Sequence, residues 1–490
     1  MSRGHASAFG LSFGLSLLSA CGGAPSKTSV PSSKTVADTP KTGTLLREFP
    51  GDADTKSGSR DSLFPKTKPD KVNWSALDSS QRQQLAELAD RYLRFVGSAR
   101  TQRQSASALL EMAKKAGARP LEDASKVKPG QLYYWKDTAS SSIAFLRVGT
   151  EPIESGLRVM TASIDSGEIR LTPKPVYEKS GLTLLDTSIL GRMEVETWLN
   201  TPLALHVYVA PKGSQAKGSQ AKGSQAKAIE FVIGDDPDEP VFVIPDLLPH
   251  LSRKVQRNKL VDSPERMDAI AGFSAKAVFG MLRRYGMSAA DFERAEATLV
   301  PAADPTFIGV DRGLVAAANH YARAVPFVAM EALIEGTPKH SSVVIFMGHN
   351  RRSYAGADAV SHVENLLPRI IKAHDSSKDL LDIQRIYSKS RVLLFGDKSG
   401  SRNKGIVLNS RRDDATPRAF RHALQLFADG GVPVQVSEKS GWSQAREVSS
   451  LDIATVEFGL PIAGLGTPYE LLSTLDLYYA KQACRAWVNQ

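Results

Sequence analysis

The sequence predicts an α/β fold with a largely parallel sheet, because β-like and helical patterns alternate through its second half. Two apolar runs, SVVIFMG at 342–348 and RVLLFG at 391–396, are each followed by a stretch with helical periodicity. Such uninterrupted apolar runs are typical of strands covered on both faces, as in a parallel sheet flanked by helices. The predicted segments, in chain order, are a helix at 314–335, a strand at 342–348, a helix at 354–374, a strand at 391–396, a helix at 417–429, a strand at 432–436, a strand in IATVEFGLPIAGL and a terminal helix at 468–487.

The first half of the body predicts two helices followed by a β-rich stretch. Apolar residues recur at helical spacing between residues 85 and 96, and a second helix is predicted at 102–116. The predicted β-like segments are short runs at 132–135, 142–148 and 157–164, then strands with turns through 170–260. A triple GSQAK repeat at 213–227 is predicted to be an exposed hairpin loop, since a polar insertion of this size costs little closure entropy.

Composition and charge describe an ordinary globular chain. The chain has 490 residues, of which 42% are hydrophobic and 23% charged, which is enough for two or more domains. The net charge is +10, but Lys and Arg are interleaved with Asp and Glu, so no nucleic-acid partner is expected. The two cysteines, Cys21 and Cys484, lie at opposite ends of the chain, and no disulfide framework is predicted.

The N-terminus predicts export and lipid anchoring. Residues 1–20 contain Arg3 and an apolar run too short to remain as a membrane span, and they end in Leu-Ser-Ala before Cys21. This ending resembles the bacterial lipobox, which implies a lipid on Cys21 and a place in the cell envelope, at the outer membrane; the alternative is an ordinary signal peptide with an incidental cysteine. Residues 21–72 are rich in Ser, Thr, Lys, Pro and Gly and predict a disordered tether.

A family resemblance extends from about residue 77 to the C-terminus. It is carried by seven blocks: KPGQLYYW, TASIDSGEIRLTPKPVYEKSGLTLLDT, NTPLALHVYV, DEPVFVIPDLLPHL, YGMSAADFERAEATLVPA, GVDRGLVAAA and GLPIAGLGTPYELLSTLDLYY. The chain resembles the aspartyl aminopeptidase and aminopeptidase I family of dizinc metallopeptidases, in its bacterial branch. The resemblance implies a zinc-aminopeptidase-like α/β domain, formed by 73–171 and 311–490, interrupted by a β-rich oligomerisation insert at 172–310. It also implies a homo-oligomer, since active relatives form closed assemblies, often tetrahedral dodecamers.

The resemblance also implies where zinc ligands would lie, and different residues stand at most of those positions. The first His ligand corresponds to Ser163, although its supporting Asp165 is retained. The bridging Asp corresponds to Tyr321, the general-base Glu to Asn350 and the following zinc-binding Glu to Arg351. Because a dizinc site needs imidazole and carboxylate ligands, these substitutions predict its loss.

The remaining positions give the same prediction. The last His ligand corresponds to Gly466, and the remaining Asp ligand corresponds to Asp397 or to Phe395, depending on register. His250 is retained in a region that, in the family, contributes to the active site of a neighbouring subunit. The leading expectation is therefore that no catalytic residue is intact and no cofactor is bound.

A relocated metal site is the alternative. His320 adjoins the former bridging position, and His349 adjoins the former Glu pair; with the retained His250 they are three imidazoles near one pocket, and Asp397 is a further candidate ligand. Imidazole suits zinc. Neighbours in sequence usually point in different directions, however, so the competing interpretation is that both histidines are ordinary pocket or surface residues.

Two functions follow from these alternatives. The leading interpretation is a catalytically inactive binding or scaffolding lipoprotein, in which Arg323, Arg351 and Arg352 turn the pocket toward anionic ligands such as peptide carboxylates. The alternative is an active zinc metalloaminopeptidase that removes acidic N-terminal residues from peptides through the relocated site.

Overall fold

A computed structural model of the chain has an α/β architecture, as the sequence predicts. It describes residue 74 and residues 77–490, except for 123–126, 137–141, 166, 192, 211–227, 247–266, 349–356, 397–399, 411–416 and 438–444. The signal peptide, Cys21, the tether and the GSQAK repeat therefore lie outside the described residues, and their predictions remain predictions.

The central sheet has nine strands among the described residues, in the order β1-β2-β3-β13-β4-β14-β17-β15-β16. Its middle strands β13, β4, β14 and β17 run parallel, whereas β2, β3 and β15 include antiparallel pairings. The strands are β1 (Arg119–Pro120), β2 (Leu132–Lys136), β3 (Ile143–Arg147), β4 (Arg158–Ser163), β13 (Ser342–Met347), β14 (Arg391–Phe395), β15 (Ile406–Asn409), β16 (Val434–Ser437) and β17 (Ala454–Gly459). The parallel strands are buried along almost their whole length, which explains their continuous apolar sequence.

Helices cover both faces of this sheet. The first face, with Met160 of β4 and Leu393 of β14, packs on α1 (Ser79–Ser98), α2 (Gln102–Lys115), α5 (Ala324–Glu335), α8 (Pro417–Asp429) and α10 (Thr474–Val488). The second face, with Val159 and Val392, packs on α6 (Ala357–His374), α7 (Leu380–Lys389) and α9 (Ala445–Ser449). Successive strand residues therefore point to opposite helical layers, as the period of two requires.

A second sheet has its own hydrophobic core. Its six strands among the described residues have the order β8-β7-β10-β5-β6-β9, and they pack with α3 (Ala275–Arg284) and α4 (Ala289–Phe292). The strands are β5 (Glu168–Lys179), β6 (Leu182–Leu190), β7 (Leu203–Val209), β8 (Ile229–Ile233), β9 (Ala269–Gly272) and β10 (Glu296–Pro301). This sheet falls in the region of the predicted insert, although the predicted limits at 172 and 310 and the role in oligomerisation remain predictions.

Two predicted helices are partly strands. The predicted terminal helix at 468–487 begins with β18 (Glu470–Ser473), and α10 starts only at Thr474. The stretch 314–335 begins with β12 (Leu314–Ala317), which pairs with β11 (Thr306–Ile308) and β18 (Glu470–Ser473), and the helix α5 begins only at Ala324. The short run LVAA suits either structure, and its pairing partners are remote in sequence. Within the part of the chain that the structure describes, no helix is long and apolar enough to cross a membrane.

Candidate functional site

The candidate site lies at the carboxyl edge of the parallel strands. Ser163 ends β4 and lies opposite Met347, the last residue of β13, while Leu394 of β14 lies opposite Thr161. The Ser163 hydroxyl donates to the backbone oxygen of Asp165 (3.1 Å) and accepts from its N–H (3.0 Å). The polar atom at the first mapped ligand position therefore stabilises the turn that leaves β4. Ligands in open α/β sheets bind at this edge.

Tyr321 reaches the same edge from the turn after β12. It lies in a single 3-10 turn, His320–Ala322, that follows Asn319 in a left-handed conformation with φ 66°. The Tyr321 ring packs against Phe395 at the end of β14, with centroids 5.1 Å apart, and Phe395 contacts Phe458 of β17 at 5.8 Å. The mapped bridging position, Tyr321, thus contacts Phe395, one of the two alternatives for the remaining Asp ligand.

Gly466 connects the second sheet to this region. Its carbonyl oxygen accepts from the backbone N–H of Glu194 (3.0 Å) and from Trp198 Nε1 (2.9 Å). Its own N–H donates to Glu470 Oε1 at 2.8 Å. The backbone has φ 84° here, a conformation that favours glycine.

Glu470 is a buried acid that the sequence analysis did not select. Burial raises the pKa of its carboxyl to about 7, whereas the N–H groups of Gly466, His320 and Tyr321 and the charge of Arg323 act in the opposite direction. The side chain is 2% exposed; its Oε1 accepts from the Gly466 N–H, whereas its Oε2 has no hydrogen-bond partner. The sequence analysis placed this position in the predicted helix at 468–487, whereas the structure has the strand β18 there.

His320 lies in the core and does not point into the edge. Its Nε2 donates to the carbonyl oxygen of Val315 at 2.9 Å, and its Nδ1 therefore accepts from the Tyr92 hydroxyl at 2.7 Å. Burial lowers the pKa of this imidazole to about 4, so the ring is neutral at physiological pH. Both nitrogens are already bonded, and the predicted role of His320 as a relocated metal ligand is corrected to a structural one.

Arg323 is likewise a structural residue. Its guanidinium donates to the carbonyl oxygens of Ile164 (2.9 Å), Ala322 (3.0 Å) and Arg100 (3.3 Å) and to that of Ala99. The side chain is 1% exposed, and burial lowers its pKa to about 10. The expectation that Arg323 attracts anionic ligands is wrong, because its donors already bind backbone carbonyls.

Asp165 lies at the same edge. Its carboxylate acts electrostatically on the guanidinium groups of Arg323 and Arg170. The retained acid therefore belongs to a charged cluster beneath the turn of Ser163.

Several predicted positions lie outside the described residues: His250, His349, Asn350, Arg351, Arg352 and Asp397. The described residues next to two of these positions follow directly after strands of the central sheet. Gly348 follows β13, and Gly396 follows β14 and donates its N–H to the Phe458 oxygen at 2.9 Å. Glu457 lies so close to Gly396 that a Cβ built there would be 1.8 Å from Oε1.

The described residues do not supply a zinc site. Among them, no three His, Cys, Asp or Glu side chains are grouped so that they could hold a metal ion. At the mapped positions the structure has a hydroxyl engaged in a turn, an aromatic ring and a glycine backbone. We therefore derive no catalytic step through zinc from these residues.

Comparisons with known proteins agree with this fold. The chain is similar to a protein named probable M18 family aminopeptidase 1 from Borreliella burgdorferi, with 25% identity over 470 residues, 85% of this chain and 99% of the relative. Its fold is similar to the crystal structure of an M18 family aminopeptidase from Thermotoga maritima, with a TM-score of 0.75 at 23% identity over 85% of this chain and 98% of that one. It is also similar to the mApe1 dodecamer of S. cerevisiae, with a TM-score of 0.64 at 14% identity over 82% and 96%.

These relatives correct our leading functional interpretation. We expected a catalytically inactive binding or scaffolding lipoprotein, and this is wrong: relatives that match along nearly their whole length are named aminopeptidases, which supports the alternative better. The error arose because substitutions at mapped positions were equated with loss of activity. A mapping at such identity does not establish which side chains form the site.

The family itself follows from a match to a family-wide sequence model. The model described as aminopeptidase I zinc metalloprotease (M18) matches residues 95–395, more than half of the chain. The matched span includes α2, the second sheet and the strands β4, β13 and β14 whose ends form the candidate site. The chain therefore belongs to the M18 peptidase family.

Proposed function

We propose that this chain is an aminopeptidase that removes N-terminal residues from peptides, with its active centre at the carboxyl edge of β4, β13 and β14. One observation carries the proposal: positions far apart in sequence meet at this edge. Tyr321 packs on Phe395 at the end of β14. Glu470 accepts from the Gly466 N–H, and the N–H groups of the turn that contains Tyr321 act electrostatically on its carboxyl.

The residues at the edge have positioning roles in this proposal. The turn that begins with Ser163 and the loop that contains Gly466 are each ordered by hydrogen bonds to a side chain. A preformed edge of this kind holds a peptide with little loss of conformational entropy on binding. Acidic N-terminal residues are the proposed preference, as the family resemblance implies.

Zinc is the metal named in the family description. We propose His349 and Asp397 as the residues to test as its ligands, because each follows shortly after a strand end at this edge, β13 and β14 respectively. Imidazole and carboxylate are suitable zinc ligands.

The test is an aminopeptidase assay on the purified full chain. We expect chelator-sensitive release of the N-terminal residue from aspartyl, glutamyl or leucyl peptides in the presence of Zn²⁺, Mn²⁺ or Co²⁺. The variants His349→Ala and Asp397→Asn should lower turnover by at least ~100-fold, as loss of a metal ligand or its immediate support does. The control Asp429→Asn changes an exposed acid at the end of α8 and should retain full activity. No turnover above a protein-free control with any of these metals would contradict the proposal.

A homo-oligomer is the proposed assembly, supported by the similarity to a protein solved as a dodecamer. His250 is proposed to contribute to the site of a neighbouring subunit in that assembly. Light scattering on the purified chain tests the first point, and a monomer at micromolar concentration would contradict it.

Export and anchoring through a lipid on Cys21 are proposed from the N-terminal sequence alone. The body would then act on peptides in the cell envelope. A lipid-anchored enzyme with a long tether keeps its active edge away from the membrane surface.

A further inference from the structure

A cluster of basic side chains lies at the amino edge of the central sheet, opposite the candidate active site. Arg158 begins β4 and Arg391 begins β14, and these two residues are direct partners in the parallel pairing. Partner positions place side chains on the same face of a sheet, here the face that carries Met160 and Leu393. Two guanidinium groups side by side repel each other, so the fold holds an unfavourable pair here.

Two imidazoles complete the cluster. Arg391 Nη1 lies 3.0 Å from His422 Nε2, and the amide oxygen of Gln490 lies 3.1 Å from Arg391 Nη1 and 2.9 Å from His422 Nε2. If His422 Nε2 carries a proton, it can donate to the Gln490 amide oxygen, but its N–H then faces an N–H of Arg391. If Nε2 carries no proton, it can accept from Arg391, but its lone pair then faces the Gln490 amide oxygen. Either form leaves one short contact unmatched. His340 adjoins the group and contacts the Ser155 hydroxyl through Nδ1 at 2.9 Å.

Acidic side chains do not balance the charges of this cluster, and the backbone oxygen of Gln490, the last residue of the sequence, accepts from the His340 N–H at 3.2 Å. Among the described residues, the electrostatic partners of the four side chains include one acid, Glu151, which acts on His340, while Lys339 and Arg418 add positive charge. Burial, followed by the neighbouring guanidinium groups, lowers the pKa of both imidazoles. The carbonyl end of α10, where Val488 accepts from Ser342, offsets only part of two full positive charges.

Arg158 has a buried donor without a hydrogen-bond partner. Its side chain is 4% exposed, its Nη1 donates to the carbonyl oxygens of Leu157 (3.2 Å) and Lys389 (3.4 Å), and its Nε has no hydrogen-bond partner. Burial and the charge of Arg391 lower the pKa of this guanidinium to about 10. An unpartnered donor on a buried charge is costly, and a bound acceptor would remove that cost.

We propose that Arg158, Arg391, His340 and His422 form a binding site for a small oxyanion of the phosphate class. Guanidinium forks match the oxygens of phosphate, and an anion would relieve the repulsion between the two arginines. The site is separate from the candidate active centre, because the six residues of β4 that connect Arg158 to Ser163 span roughly 17 Å. Arg391, His340 and His422 are half-buried, which leaves the cluster open to solvent.

The test is the response of the full chain to inorganic phosphate. In wild type, phosphate should raise the melting temperature saturably, with a dissociation constant at or below about 1 mM, while chloride at equal ionic strength should not. The variant Arg391→Gln should abolish this shift. The control Arg421→Gln changes an exposed arginine on the same helix as His422 and should keep it. Arg158→Met is a second disrupting variant, and phosphorus NMR line broadening provides a readout that does not depend on stability.

The outcomes separate the sources of the ligand. Stabilisation by inorganic phosphate or by a glycerol phosphate monoester supports the site and shows whether a free ion or a phosphate ester occupies it. Binding of sulfate, whose charge is constant, should strengthen as the pH falls below 6.5, because the lowered pKa of both imidazoles places their protonation there. An equal response to acetate, no difference between phosphate and chloride, or a full response in Arg391→Gln would overturn the proposal.

Discussion

Replacing Arg323 by lysine should destabilise the candidate site and the whole body. The guanidinium of Arg323 joins three segments: the end of α1 through Ala99 and Arg100, the end of β4 through Ile164, and its own turn. A lysine ammonium keeps the charge but cannot reach all of these carbonyls from one point. Loss of at least two hydrogen bonds from a charged donor, at about 1.5–3 kcal/mol each, predicts a decrease of about 3–5 kcal/mol in the free energy of unfolding.

Urea unfolding of the purified chain measures this decrease, provided that fluorescence and circular dichroism give coincident transitions. The matched control is Arg94→Lys, because Arg94 is exposed on α1, close in sequence to the carbonyls that Arg323 binds. We expect Arg94→Lys to change stability by less than ~0.5 kcal/mol. If Arg323→Lys is as stable as this control, the buried guanidinium does not connect the segments as described.

Three further predictions follow from the structure and the sequence. Burial raises the pKa of Asp476 from its ordinary value of 3.8 to about 7, so its protonation stabilises the folded state at low pH, and this contribution is lost as the pH rises from about 4 to about 7. Urea midpoints should show that the stability of wild type relative to Asp476→Asn falls over this range and is level above it; a constant difference would contradict this. Gly396→Ala should lower the free energy of unfolding, measured by urea titration, by about 1–3 kcal/mol, because the added Cβ meets buried Glu457. The control Gly97→Ala in α1, where a Cβ would have nothing within 4 Å, should be neutral or slightly stabilising, and equal effects would refute the contact. Cys21→Ser should abolish fatty-acid labelling and release the protein from membranes, and unchanged sedimentation with membranes would argue against the anchor.

The fold was predictable where the sequence signal is repeated along several segments. Continuous apolar runs at 342–348 and 391–396 indicated parallel strands, and these are β13 and β14. The stretch 314–317 was assigned to a helix because four small apolar residues carry no period of their own. Its strand structure depends on β11 and on β18, which begins at residue 470, and no local pattern reveals such a partner.

Side-chain direction was the part of the site that sequence could not give. His320 and Tyr321 are adjacent, yet the imidazole packs into the core against Tyr92 while the phenol packs on Phe395 at the edge. A single 3-10 turn separates the two directions. Whether His320 is a metal ligand or a core residue therefore depends on the backbone conformation of the preceding Asn319, where φ is positive.

Buried acids were hidden most completely, because an isolated Glu or Asp in a strand or helix pattern usually indicates a solvated face. Glu470 and Asp476 are both buried, and their carboxylates accept backbone N–H groups from loops: Gly466 for Glu470, and Asn403 and Gly405 for Asp476. A buried N–H in a tight turn needs an acceptor. The segment from β18 into α10 supplies such an acceptor to each of two separate loops. The acids in the GLGTPYELLSTLDLYY block thus fix loop geometry beside the strand ends, and substitutions there should alter the candidate site without touching a substrate.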